Sequence, residues 1–246
     1  MQKLLALVKR ELVAYFSSPL AWIVMTAFLL MQGYIFYLIL AILNSPTTQQ
    51  MFPLQLFFGG SIFFWLFLLF VVPVITMRLL AEERRSGTIE VLLTSPLSEA
   101  QVVVGKVVAA VLFYLALWAP TVVYMVILER HADVDLGPVL SGYLGVALLG
   151  FMFLGVGIFT SALTDNQLIA AILAFAAMVV LFSLGLVEGL VTSSWLKAAL
   201  DHMNLWTHMD DYAKGIVDSR HVVYELSVGL LFMFFATTTL ALKKGR

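Results

Sequence analysis

Charge is what this sequence has least of. Of its 246 residues 12% are charged and 62% are hydrophobic, where a soluble domain would carry about 25% charged residues. Cysteine is absent, which excludes disulfides, thiol catalysis and cysteine-ligated metals. A net charge of -1 leaves no basic excess for nucleic acid. Gly-x-Ser-x-Gly and His-Glu-x-x-His do not occur, so two common hydrolytic constellations are missing. Nor is there a phosphate-binding loop, because Gly105-Lys106 lacks both the upstream glycine and a following Ser or Thr. Residues 190–221, the longest stretch between apolar runs, are too few for a nucleotide-binding domain. If transport here is driven by ATP, the ATPase is another chain.

What is present is a series of apolar runs long enough for the roughly 20 residues that cross a bilayer. Six spans are expected, at Leu20–Leu43, Phe57–Met77, Val102–Leu128, Val139–Leu163, Leu168–Gly189 and Val222–Leu242. The chain reads as an all-α membrane protein forming a single transmembrane domain over 1–246. Pro19 suits the start of the first helix, Ser98 and Gln101 form a capping box for the third, and Pro120 should kink that third span. Asp165 or Asn166 can cap the fifth. The first apolar run exceeds a signal-peptide core and no small-residue cleavage site follows it, so no cleaved leader is expected.

Residues 1–18 form an expected interfacial helix, with Leu4, Leu5, Val8, Leu12, Tyr15 and Phe16 on one side and Lys3, Arg10 and Glu11 opposite. Of the fourteen Lys and Arg residues, ten fall on the side of both termini and of the 78–96 loop. The other four are Arg130, Lys197, Lys214 and Arg220. The excess of positive charge places both termini in the cytoplasm. No ionisable group lies in the apolar centres of the spans, which argues against a self-powered carrier or voltage sensor. Lys106, one turn into span 3, can snorkel to the surface, and Glu188 and Glu225 lie near the opposite one. His202, His208, Asp210 and Asp211 match no standard metal-ligand spacing. Their segment reads as an amphipathic surface piece with Trp206 and Tyr212 as interfacial anchors. Small-residue pairs, Ser141/Gly145 and Gly157/Ser161 in span 4 and Ala170/Ala174 and Gly185/Gly189 in span 5, suggest that these two spans pack closely.

The dense charge cluster is Arg78-Leu-Leu-Ala-Glu-Glu-Arg-Arg-Ser-Gly-Thr-Ile-Glu-Val-Leu-Leu-Thr-Ser-Pro96. A helical continuation of span 2 would align Arg78, Glu82 and Arg85, Gly87 would end it, and Thr88 would start a second short helix. Ile89, Val91, Leu92 and Leu93 give that second piece an apolar side that needs a partner. Three acidic residues exceed what a positively charged loop requires.

This run, followed by Gly105-Lys106, resembles the ABC-2 type transporter permeases, in particular the gliding-motility branch. Lys9-Arg-Glu-Leu12, Phe16-Ser-Ser-Pro19, Ser161-Ala-Leu-Thr-Asp-Asn-Gln167 and Gly215-Ile-Val-Asp-Ser-Arg220 extend the likeness along nearly the whole chain. The resemblance implies six transmembrane helices with an N-terminal interfacial helix, a cytoplasmic coupling helix between spans 2 and 3, and an external re-entrant hairpin before span 6. Carried over, the ATPase-coupling residues are Glu82, Glu83, Arg84, Arg85, Gly87, Thr88, Ile89, Glu90, Leu92 and Leu93. Span 2 through Arg85 would be a lever, Ser86-Gly87 a bend, and Thr88–Thr94 a docking face with Glu82, Glu83 and Glu90 as polar contacts. Asp165, Asn166 and Gln167 would be a secondary cytoplasmic contact.

It further implies two copies of an ABC ATPase that carries the ATP and Mg, with no cofactor bound by this chain. A second permease copy or related permease would meet it along spans 1, 2 and 5, and an auxiliary protein with a large extracytoplasmic domain can accompany them. The expected setting is the bacterial inner membrane. The expected function is a non-catalytic permease subunit coupling ATP hydrolysis to export or extrusion of an amphipathic substrate. A membrane scaffold for an envelope machine and an ATP-independent secondary transporter stay open beside it.

Overall fold

The computed structural model describes residues 2–43, 53–88, 98–130, 135–187 and 193–244. Outside them lie most of the expected docking face, including Ile89, Glu90, Leu92 and Leu93, and also most of the 44–55 loop, His131, Asp133, Glu188 and Gly189. The helices are α1 (Gln2–Ser17), α2 (Pro19–Leu43), α3 (Ile62–Thr76), α4 (Ala81–Arg85), α5 (Glu99–Trp118), α6 (Val122–Glu129), α7 (Leu136–Leu163), α8 (Gln167–Val187), α9 (Ser194–His202), α10 (Leu205–Ala213) and α11 (Ser219–Lys244). Six stretches are long and apolar enough to cross a membrane: Pro19–Leu43, Pro53–Arg85, Glu99–Glu129, Leu136–Leu163, Gln167–Val187 and Ser219–Leu242. Among the described residues there is no strand. The protein is an all-α, six-span membrane protein, as its apolar runs predict.

Local chemistry sets the boundaries. Ser98 accepts a hydrogen bond from the Gln101 N–H at 3.3 Å while the Gln101 side chain accepts from the Ser98 N–H at 3.0 Å. This is the reciprocal cap expected for span 3. Pro120 breaks that span into α5 and α6 through one 3₁₀ turn, Ala119–Thr121. Asn166, not Asp165, caps span 5, accepting from the Leu168 N–H at 2.9 Å.

Span 2 departs from a plain apolar helix. It begins with a wide turn, Leu56–Gly60, in which Gly59 has φ 128°. A Cβ there would also meet Met209 at 2.8 Å, so glycine is needed for conformation and for space. The span then ends at Thr76, and the chain turns through Met77–Leu80 before α4. The continuous lever expected from span 2 through Arg85 is therefore two helices joined by a turn.

Span 4 is the axis of the fold, and its small residues are the reason. The positions of Gly142, Gly145 and Gly150 are occupied from outside by the rings of Phe58, Tyr212 and Tyr114, and that of Gly157 by Thr76. At Gly155 a Cβ would lie 2.6 Å from the backbone oxygen of Gly229 in span 6. Small residues thus let span 4 touch spans 2, 3 and 6 and α10, where the sequence pairs suggest span 5 alone. Span 5 packs on it too, and its Ala170 and Ala174 are buried. At Gly155 the neighbour is main chain and cannot rotate away. Gly155→Ala should destabilise by about 1–3 kcal/mol through overpacking. Gly137→Ala, whose nearest neighbour would be 3.8 Å away, should be close to neutral. Thermal unfolding of both variants in the same lipid or detergent checks the contrast.

Candidate site around a buried lysine

α1 lies against α5 because two complementary surfaces meet. Leu4 and Leu7 sit over Gly105, where a Cβ would come within 2.8 Å of Leu7. Tyr15 stacks on Phe113 with ring centroids 4.8 Å apart, and its hydroxyl donates to the Ile75 carbonyl at 2.9 Å. Burial, with the Glu11 carboxylate nearby, pushes the Tyr15 pKa well above its ordinary value, so the hydroxyl remains a donor. The packed face of α1 therefore runs through Leu4, Leu7, Val8 and Tyr15. Leu5, assigned to that face by helical spacing, is 62% exposed.

Beneath this face is Lys106, 1% exposed. Its ammonium does not snorkel to the surface as its position in span 3 suggested. It is held 3.1 Å from Glu11 Oε1 and 3.0 Å from Glu83 Oε1. Arg10 closes the ring from the outside, at 2.6 Å from Glu11 and 2.9 Å from Glu83. Glu11, expected on the polar face of α1, is turned inward for this reason, because a buried cation is tolerable only among anions. Two cations and two carboxylates join α1, α4 and α5.

Span 4 supplies the second attachment of α4. Helix α4 has only five residues, and its first N–H groups have no capping side chain of their own. Ser161 of span 4 fills that role. Its Oγ accepts from the N–H groups of both Leu80 and Ala81 at 3.0 Å and donates to the Met77 carbonyl at 3.3 Å. A hydroxyl has one hydrogen and two lone pairs, and all three are used.

The expected site residues divide accordingly. Glu82 pairs with Arg78 at 2.7 Å, and Arg78 also donates to Ser18 at 2.9 Å. Glu83 is turned into the lysine cluster, its side chain 14% exposed. Both carboxylates, expected as polar contacts for a partner, are engaged within the chain. Arg84 packs under the 164–167 turn with its guanidinium 3.7 Å from Asp165, which brings the main and secondary expected contacts together. Arg85, Ser86, Gly87 and Thr88 are exposed, as are Asp165 and Asn166. Gly87 has φ 71° and nothing within 4 Å of a Cβ position, so the bend is a conformational demand alone. Glu11, Arg10, Lys106 and Ser161 belong to the site although sequence reasoning gave them no part in it. The only local signal was a lysine one turn inside an apolar span.

On the far side of the bilayer α10 is packed against span 4 and the Leu56–Gly60 turn. Tyr212 is fully buried and Trp206 stacks on Trp65 at 5.8 Å. Neither is the interfacial anchor that the amphipathic pattern suggested. Ser141 donates to the Tyr212 carbonyl at 2.6 Å, which fixes α10 to the start of span 4.

Spans 2, 3, 5 and 6 pack around the glycine-lined span 4, and a short charged helix is tethered between spans 2 and 3, the build of a polytopic membrane subunit. Residues 44–201 match the family model described as ABC-2 family transporter protein. The chain belongs to that family: it is a multi-pass membrane permease subunit of an ABC transporter, of the kind that typically works with an ABC ATPase. No curated protein matches it.

The lysine cluster generates a direct expectation. Lys106→Met leaves two inward carboxylates with only Arg10 between them, and loss of one partner of a buried pair costs on the order of 3–5 kcal/mol. The variant should release α1, read as faster proteolysis at Lys9 and Arg10 and a lower melting temperature. Adding Glu11→Gln and Glu83→Gln should recover part of the loss.

Proposed function

We propose that α4 and the segment after it receive the motion of a separate ABC ATPase and pass it to the spans, driving export or extrusion of an amphipathic substrate. The observation that carries this reading is that α4 is held on three sides, by Glu83 to α5 and α1 and by Ser161 to span 4. Its far end, Arg85–Thr88, is exposed. A force applied at that end would be delivered to spans 3 and 4 together. Arg84, Arg85, Gly87, Thr88, Ile89, Glu90, Leu92 and Leu93 form the docking and bending part. Glu82 and Glu83 act as internal struts, and Asp165, Asn166 and Gln167 as the secondary contact. ATP and Mg²⁺ are the partner's; this chain binds neither.

The working unit would be two permeases and two ATPases in the bacterial inner membrane, with both termini cytoplasmic. An auxiliary protein with a large extracytoplasmic domain would accompany it if the chain is of the gliding-motility branch. The seam between the permeases would run along spans 1, 2 and 5, as the family resemblance implies; spans 1 and 5 expose large apolar side chains that such a seam could cover (Ile23, Leu30, Tyr37; Leu168, Ile172, Val180). A mainly apolar path suits lipids, peptides or lipid-linked glycans.

Gly87→Val tests the bend. A β-branched residue at positive φ costs roughly 1–2 kcal/mol, a factor of about 5–30 in the bent population, and with open space around it nothing else changes. Membrane insertion should be intact while the bound ATPase or its substrate-stimulated turnover falls. Wild-type assembly together with wild-type stimulation would contradict the coupling role.

A further inference from the structure

A second buried polar cluster lies on the opposite side of the bilayer from α4. Glu225, in the second turn of α11, is 0% exposed. Its Oε2 accepts from the Tyr212 hydroxyl at 3.3 Å, and its Oε1 is 3.3 Å from His208 Nδ1. His208, also fully buried, has its other nitrogen, Nε2, 3.1 Å from the His202 carbonyl at the end of α9. His221 stacks on the His208 ring with centroids 3.9 Å apart, and its Nδ1 is 3.9 Å from Asp211.

Counting hydrogens defines the state of this pair. A backbone carbonyl only accepts, so Nε2 of His208 carries a hydrogen. Tyr212 already gives its own hydrogen to Oε2. The approach of Nδ1 to Oε1 is then attractive only if one further proton sits on one of the two atoms. Without it, a carboxylate faces an imidazole lone pair in a site closed to water. The ring could instead move its hydrogen to Nδ1, and the bond to the His202 carbonyl would be lost.

We propose that His208 and Glu225 form a single-proton binding site that clamps the α9–α10 hairpin to the end of span 6, and that loss of this proton releases the hairpin. The charged and titratable surroundings are Asp201 and His202 from α9, Asp210, Asp211 and Lys214 from α10 and its end, and Asp218, Arg220, His221 and Tyr224 from α11, the Tyr224 ring lying edge-on to His208 with centroids 5.6 Å apart. Spans 4 and 5 and the Leu56–Gly60 turn add no charged group. Lys214 is paired with Asp210 and Arg220 with Asp218, and Asp211, Asp201 and Asp218 all favour retention of the proton. Burial pushes the His208 pKa below its ordinary value, against the pull of the His202 carbonyl and of Asp211, Asp201 and Asp218. Burial therefore works against a second proton on the pair. The occupied state has one proton, and the side on which the clamp fails is the alkaline one.

The chain has no cysteine, so Lys197→Cys on α9 and Leu136→Cys at the start of α7 give a unique labelling pair at exposed positions. The measurement is the spin-label distance between them in the full chain in bilayers, diluted with unlabelled chain. At neutral pH a single short distance is expected, and at alkaline pH a second, longer population. Glu225→Gln replaces the proton by a fixed amide hydrogen facing Nδ1 while its carbonyl still accepts from Tyr212. In that background the longer population should fall to background at alkaline pH. A wild-type distance that does not respond to alkali, or a Glu225→Gln response equal to that of the wild type, would overturn the assignment. The first of these stands even if Glu225→Gln fails to fold. The test needs no ATPase, so its outcome is independent of the coupling reading.

Discussion

An ammonium group with no access to water persists only where carboxylates surround it, and Lys106 imposes that condition on a whole end of this protein. Meeting it takes Glu11 from α1 and Glu83 from α4, which are 95 and 23 positions away along the chain, and it brings Arg10 in as the balancing second cation. The N-terminal helix is thereby attached to span 3 instead of resting independently on headgroups. The same ion cluster holds α4, which at five residues is too short to be stable alone. Ser161 then ties the start of α4 to span 4. On the proposed reading, this makes the receiving element rigid without a long helical lever.

Behind that end, the bundle depends on how closely backbones approach the central span. Lipid gives helices no hydrophobic reason to associate, so contact surfaces are made of small residues with good van der Waals fit. Span 4 concentrates them, accepting an aromatic ring at Gly142, Gly145 and Gly150 and a neighbouring backbone at Gly155. Spans 1 and 5 show the opposite pattern, with large apolar side chains facing outward. Only a bilayer or another apolar surface can cover them.

Much of this was legible in the sequence. The six spans follow from apolar run length, and the caps at Ser98 and Asn166 and the break at Pro120 follow from local backbone chemistry. Other features were not legible, each for a physical reason. Lys106 looked able to snorkel because hydropathy treats each helix alone and its partners are remote in sequence. Glu11 lies at the boundary of the helical wheel, so only the partner decides which way it faces. Tyr212 and His208 sit in a stretch amphipathic enough to resemble a surface segment. Those two side chains are buried because Glu225 and the His202 carbonyl satisfy them, while Asp210 and Asp211 of the same helix stay partly exposed. The charge density of the expected coupling residues is plain in the sequence, but the pairing of Glu82 with Arg78 and the inward turn of Glu83 onto Lys106 depend on the folded arrangement.

The central claim is that α1, α4 and the near end of span 3 move as one body. It is tested most directly by the distance between labels at Lys3→Cys and Arg85→Cys in the assembled transporter, compared between the nucleotide-free and ATP-bound states. The account predicts a distance that stays the same in both states while the distance from Arg85→Cys to its counterpart in the second permease changes. A nucleotide-dependent change between α1 and α4 themselves would contradict it.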